Sequence, residues 1–172
     1  MTTHSNSPSY QIRLFCLRHD ADIARQPSFG FLFHGIDNRG CEIKIIAKLS
    51  GVIGSFALYM IDSGGEPLLN RYHNVENIID AFMIGETCAS KDEIRWFFER
   101  EARPHVAGLD TTQHPGTFSA DQWAYEAIVK MAARRWLEED AGCYLEWMRE
   151  AFRKWTDAFA EKIRGEGRPK QS

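Results

Sequence analysis

The first 95 residues of this chain contain no tryptophan; all five (Trp96, Trp123, Trp136, Trp147 and Trp155) fall in the second half. Short signatures of specific chemistry are missing too. No GxGxxG loop and no GxxxxGK loop ending in Ser or Thr occurs, which leaves nucleotide binding through such loops unsupported. No CxxC pair or HExxH helix is present, and His105 and His114 are too far apart to form a helical metal pair, so no metal or other cofactor is predicted. There is no basic surplus. Lys and Arg number 21 against 24 Asp and Glu, a formal net charge of -3. With the longest basic runs being Arg134-Arg135 and Arg153-Lys154, nucleic acid is excluded as the main partner. The longest apolar stretch, 51–61, is too short to cross a bilayer, and 1–9 lacks the apolar core of a signal peptide. Together with four scattered cysteines (Cys16, Cys41, Cys88, Cys143), these absences predict a cytoplasmic chain with free thiols and no membrane partner.

The content is that of an ordinary globular chain: 44% hydrophobic and 26% charged over 172 residues, enough for one domain. Residues 1–9 and 165–172 read as disordered tails around a single α+β domain over 10–164. From Tyr10 to Leu17 the residues alternate, with Tyr10, Ile12, Leu14 and Cys16 on one face. Phe29, Phe31 and Phe33 alternate next. The turn sequence Asp37-Asn38-Arg39-Gly40 follows, and then Cys41, Ile43, Ile45 and Ala47. This is a β-hairpin with one buried and one partly wet face. A further strand is predicted over 55–61, closed by the turn at 62–65, and a short fifth over 68–72. Consecutive strands with short turns predict an antiparallel meander within 10–72.

At Asn74 the period changes. Val75, Ile78, Ile79, Phe82 and Met83 follow helical spacing, with Asn74 as N-cap and Gly85 as the stop. Ser90-Lys91-Asp92-Glu93 is a capping box, opening a helix that buries Ile94, Phe97 and Phe98 and ends before Pro104. Ser119-Ala120-Asp121-Gln122 is a second capping box, whose helix is predicted to run to Asp140 and break at Gly142. The last helix, over 144–163, carries Leu145, Met148, Phe152, Trp155 and Phe159 at 3-4-3-4 spacing, with Glu150 and Lys154 in favourable i, i+4 order. That seam packs on the rest of the domain or forms a homodimer. The predicted architecture is therefore a meander of four to five strands followed by about four helices covering one face. Its core joins Phe29, Phe31, Phe33, Ile43, Ile45, Phe56 and Leu58 to Ile78, Phe82, Phe97, Trp123, Ile128, Met131, Phe152, Trp155 and Phe159.

Candidate reactive groups are few. Cys88 lies two residues before Ser90, where a helix-end dipole favours a thiolate. His34 lies on a strand upstream and His73 just before the helix expected at 74. In order and setting, a strand histidine followed by a cysteine at a helix start resembles the permuted papain-like hydrolases and acyltransferases. That resemblance implies Cys88 as nucleophile and His34 as its base. The Asn-Cys pair typical of the acyltransferase branch is absent here, where the chain reads Glu86-Thr87-Cys88-Ala89. His19, Asp20 and Asp22 form a loop cluster suited to a divalent metal, for which no further ligands are identified, to acid–base work or to a solvated connection. Trp96 and Trp147 fall off the main apolar faces of their helices and mark either a partner or ligand surface or a second layer of core in a helical cluster; Phe33 and Tyr59 are added as binding candidates.

The reading that results is a ligand- or partner-binding α+β domain, taking a small apolar molecule or a protein in an apolar pocket between sheet and helices. The alternatives are the Cys88–His34 hydrolase or transferase and a small acid–base isomerase or cyclase.

Overall fold

A computed structural model of the chain describes residues 8–17, 28–37, 39–52, 55–63, 78–103 and 120–166. The fold is α+β. Five strands, β1 (Tyr10–Leu17), β2 (Ser28–Ile36), β3 (Glu42–Val52), β4 (Ser55–Ser63) and β5 (Ile78–Thr87), form one antiparallel sheet in the order β4-β3-β2-β1-β5. The meander expected from the turns is present from β1 to β4. The corner between β2 and β3 is built around Asp37, whose side chain accepts from the amides of Arg39 and Cys41, both at 2.8 Å. Those amides hold the Asp37 carboxyl below its ordinary range.

The segment expected to be a helix from Asn74 to Gly85 is instead β5 from Ile78 onward, and it pairs with β1 rather than with β4. The physical reason lies in two register shifts against β1, between Ile12 and Arg13 and between Cys16 and Leu17. Each inserts an extra residue and breaks strict alternation. The apolar residues of a strand then fall at spacings that imitate a helix. The strand expected over 68–72 and the N-cap at Asn74 lie outside the described residues.

Three α-helices are described rather than about four. The first, α1 (Lys91–Trp96), opens on the expected capping box. The Glu93 amide donates to Ser90 Oγ at 3.2 Å, and the Ser90 amide donates to the Glu93 carboxylate at 2.7 Å. It runs on into a turn of π-helix over Phe97–Glu101, closed by the Ala102 amide donating to the Phe97 carbonyl at 2.8 Å. The wider turn sends two adjacent residues, Phe97 and Phe98, into the core.

The second helix, α2 (Ala120–Ala133), ends seven residues earlier than expected. Arg135 adopts a left-handed conformation (φ 58°), which stops the helix and turns the chain back toward the sheet. Residues 136–138 then run beside β5. The Glu86 amide donates to the Trp136 carbonyl and the Glu138 amide to the Ile84 carbonyl, each at 3.0 Å, with Leu137 bridged to Gly85. A Cβ on Gly85 would lie 2.0 Å from the Trp136 carbonyl oxygen, so only glycine allows this approach.

Gly142, expected to break a helix, lies in the first turn of α3 (Ala141–Glu166), which extends beyond the start of the predicted tail at 165. At 1.5 Å per residue α3 is about 39 Å long. Tyr144, buried near its start, donates to the Ile84 carbonyl at 2.7 Å and accepts from the Glu139 amide at 3.0 Å. This ties α3, the 136–139 segment and the bulged strand to one atom. Further along, Lys154 meets the Asp80 carboxylate at 3.3 Å, while Glu150 pairs with Arg153 instead of Lys154.

The core lies between one sheet face and the helices. Tyr10, Ile12, Leu14 and Cys16 of β1, Phe29, Phe31 and Phe33 of β2, and Ile43, Ile45, Ala47 and Leu49 of β3 are buried there. From the helical side come Ile94, Phe97, Phe98, Trp123, Ala127, Ile128, Met131, Trp136, Tyr144 and Met148. Phe31 packs against Trp123 with ring centroids 5.6 Å apart, and Phe98 sits 5.7 Å from Phe31 and 5.8 Å from Phe33. The Trp123 indole N–H is satisfied by the Ala102 carbonyl at 2.7 Å. Phe82, expected in the core, is 44% exposed at the sheet margin, and Phe152 is half-buried. The side chains of Phe56, Ile78, Trp155 and Phe159 lie outside the described set.

Candidate functional site

Strand alternation gives the sheet a second face, opposite the core. The ladders order its side chains in rows. Glu86, Gln11, His34 and Lys44 form one row from β5 to β3. Met83, Arg13, Leu32 and Ile46 form the next, and Ala81, Phe15, Gly30 and Lys48 the third. The sheet meets the helices through Phe29, Phe31, Phe33, Asp80 and Phe82, all belonging to the first face. Among the described residues no helix is seen against the second.

That second face is mixed in character. Leu32 and Ile46 are cross-strand neighbours and half-buried. Ile36 is 59% exposed and Met83 37% exposed. Phe15 is buried by lying across Gly30, where a Cβ would come within 2.5 Å of its ring. Glycine at position 30 is therefore what lets the Phe15 ring lie flat on the neighbouring strand.

Among these apolar groups stand polar ones: Arg13 between Met83 and Leu32, His34 between Leu32 and Ile36 along β2, and Gln11, Lys44 and Lys48 beside them. Glu42 Oε2 meets Lys44 Nζ at 3.0 Å and Glu42 Oε1 meets His34 Nε2 at 3.1 Å. The Lys44 ammonium, then the His34 ring, keep the Glu42 carboxyl below its ordinary range. Burial pushes the Lys48 ammonium pKa down.

The sequence candidates are scattered over this framework. Cys88 is exposed in the link between β5 and α1. His34 is half-buried on the second face with Glu42 as its partner. His34 and Glu86 stand on opposite sides of Gln11, so His34 is two strands from β5, about 10 Å at the usual strand spacing. Cys88 lies two residues farther on, and among the described residues no hydrogen bond joins it to a histidine. Phe33 is fully buried, with Phe98 and Trp136 against its ring. Tyr59 stands opposite Lys48 in the β3–β4 ladder, its side chain outside the described set. His73, His19, Asp20 and Asp22 also lie outside the described residues.

The two tryptophans named as a surface are separate. Trp147 is half-buried and stacked on Phe82, with centroids 5.8 Å apart. Trp96 is 51% exposed. Behind it the Arg134 guanidinium lies 5.7, 5.5 and 5.3 Å from the rings of Trp96, Phe97 and Trp136. Arg134 also holds both carboxylate oxygens of Glu101, through Nε at 2.9 Å and through a terminal nitrogen. Lys130 donates to the Glu101 carbonyl. The Arg134 hydrogen bonds draw the Glu101 carboxyl below its ordinary range. This cluster pins the π-helical turn to the end of α2.

At the described sheet–helix contact aromatic rings meet at centroid distances of 5.6 to 6.3 Å. A cavity of about 60 Å³ is lined by Ile45, Lys91, Asp92 and Arg95, far below the few hundred Å³ that an organic ligand requires. Among the described residues no group of three or more His, Cys, Asp or Glu could hold a metal ion, and no helix is long and apolar enough to cross a membrane.

Comparison of the chain with protein-family models, with characterised proteins and with solved structures yields no match.

Leu32, Ile46, Glu101 and Arg134 were not singled out as site residues by the sequence. For the first two a signal existed, because they alternate with the Phe29–Phe33 and Ile43–Ile45 series. For Glu101 and Arg134, 33 residues apart, local pattern carries none.

Proposed function

We propose that this chain is a non-catalytic binding module that receives a protein partner on the second face of its sheet. The observation that carries the reading is the contrast between a face closed by helices and one that keeps Leu32, Ile46, Met83 and Ile36 partly or largely exposed. Apolar groups interspersed with Arg13, Gln11, His34 and Lys44 have the mixed make-up of a protein interface, in which apolar contacts and hydrogen-bonding groups lie side by side. The pleated surface that the described strands present suits a partner that lays down a broad area; a small molecule needs concavity.

Charge sharpens the choice of partner. Among the described residues Arg13, Lys44 and Lys48 outnumber Glu42 and Glu86 on this face, which favours a partner presenting carboxylates beside apolar side chains. Lys44 is already held by Glu42, so the added attraction comes chiefly from the β1 side.

Photo-crosslinking tests the reading. A crosslinking residue is placed at Ile36 or Met83, and at Arg149 on the exposed side of α3 as control, in cells that express the full chain. Discrete adducts from the two sheet positions, lost when Leu32→Glu is added to a chain that still folds, are expected. No adduct at either sheet position, or adducts indifferent to Leu32→Glu, would refute the proposal. An adduct at twice the chain's own mass would identify the partner as a second copy.

A further inference from the structure

We draw no further inference here: the strongest candidate, the outer edge of β4 (Ser55–Ser63), which no described strand pairs while residues 136–138 close the opposite edge at β5, carries nothing because nothing in the structure shows what covers it.

Discussion

The two faces of the sheet are built from the same strands, often from adjacent residues, yet they obey different rules. Phe31 and Phe33 are fully buried among rings from two helical segments and the 136–138 segment; Leu32, between them, points the other way and is only half-buried. On the first face the side chains are large, apolar and interlocked. On the second, apolar and charged residues alternate from strand to strand and the ion pairs are partly wet. The difference teaches that burial against the helices accounts for much of the stability of the fold, and under the proposed binding role the other face is the one shaped by recognition.

Breaking the first face should have the largest effect. Phe31→Ala removes a ring that touches both Phe98 and Trp123 and should cost about 3–5 kcal/mol, read from urea unfolding. A loss under about 1 kcal/mol would mean that this face is not the principal core.

Gly85→Ala probes the margin between the faces. The added methyl collides with the Trp136 carbonyl and must push residues 136–138 off β5. A loss of about 1–3 kcal/mol is expected, together with faster amide exchange at Glu86 and Glu138 than in the parent chain. Unchanged exchange at those two amides would show that the closing segment is held by other contacts.

The smallest effect comes from Glu101→Gln, at a pair whose side chains are each about a third exposed. Solvent screening limits its value to roughly 0.5–1 kcal/mol. Glu101 is more acidic in the folded chain than its ordinary value of 4.5, so its contribution is complete above that pH and is lost as pH falls through the lower folded value. The stability gap between parent and variant should therefore shrink as the pH is taken below 4.5. A gap that widens on acidification would reverse the assigned role of Arg134.

How much of this was legible beforehand follows from where each contact lies along the chain. Strands β1 to β4 were readable because Phe29-x-Phe31-x-Phe33 and Ile43-x-Ile45-x-Ala47 keep strict alternation, and the Asp37 turn separates them. The start of α1 was readable because Ser90 and Glu93 satisfy each other within one turn. Strand β5 was not, since its bulges disguise the period. The end of α2 was not either, because what draws Trp136 out of the helix is a hydrogen bond to Glu86, fifty residues earlier in the sequence. The wet face of the β2–β3 hairpin was visible as such, but its extension across β1 to Met83 depends on a pairing that the sequence had hidden inside an expected helix. The cysteine candidate and its histidine could not be judged from order alone; the strand order sets them apart.

The most direct measurement compares two neighbouring substitutions, Leu32→Asp and Phe33→Asp, by near-ultraviolet circular dichroism and urea unfolding of the full chain. Leu32→Asp should keep the parent's aromatic signal and a cooperative transition, while Phe33→Asp should lose both. If Leu32→Asp unfolds the chain as completely as Phe33→Asp, the second face is core as well, and no free surface is left for a partner.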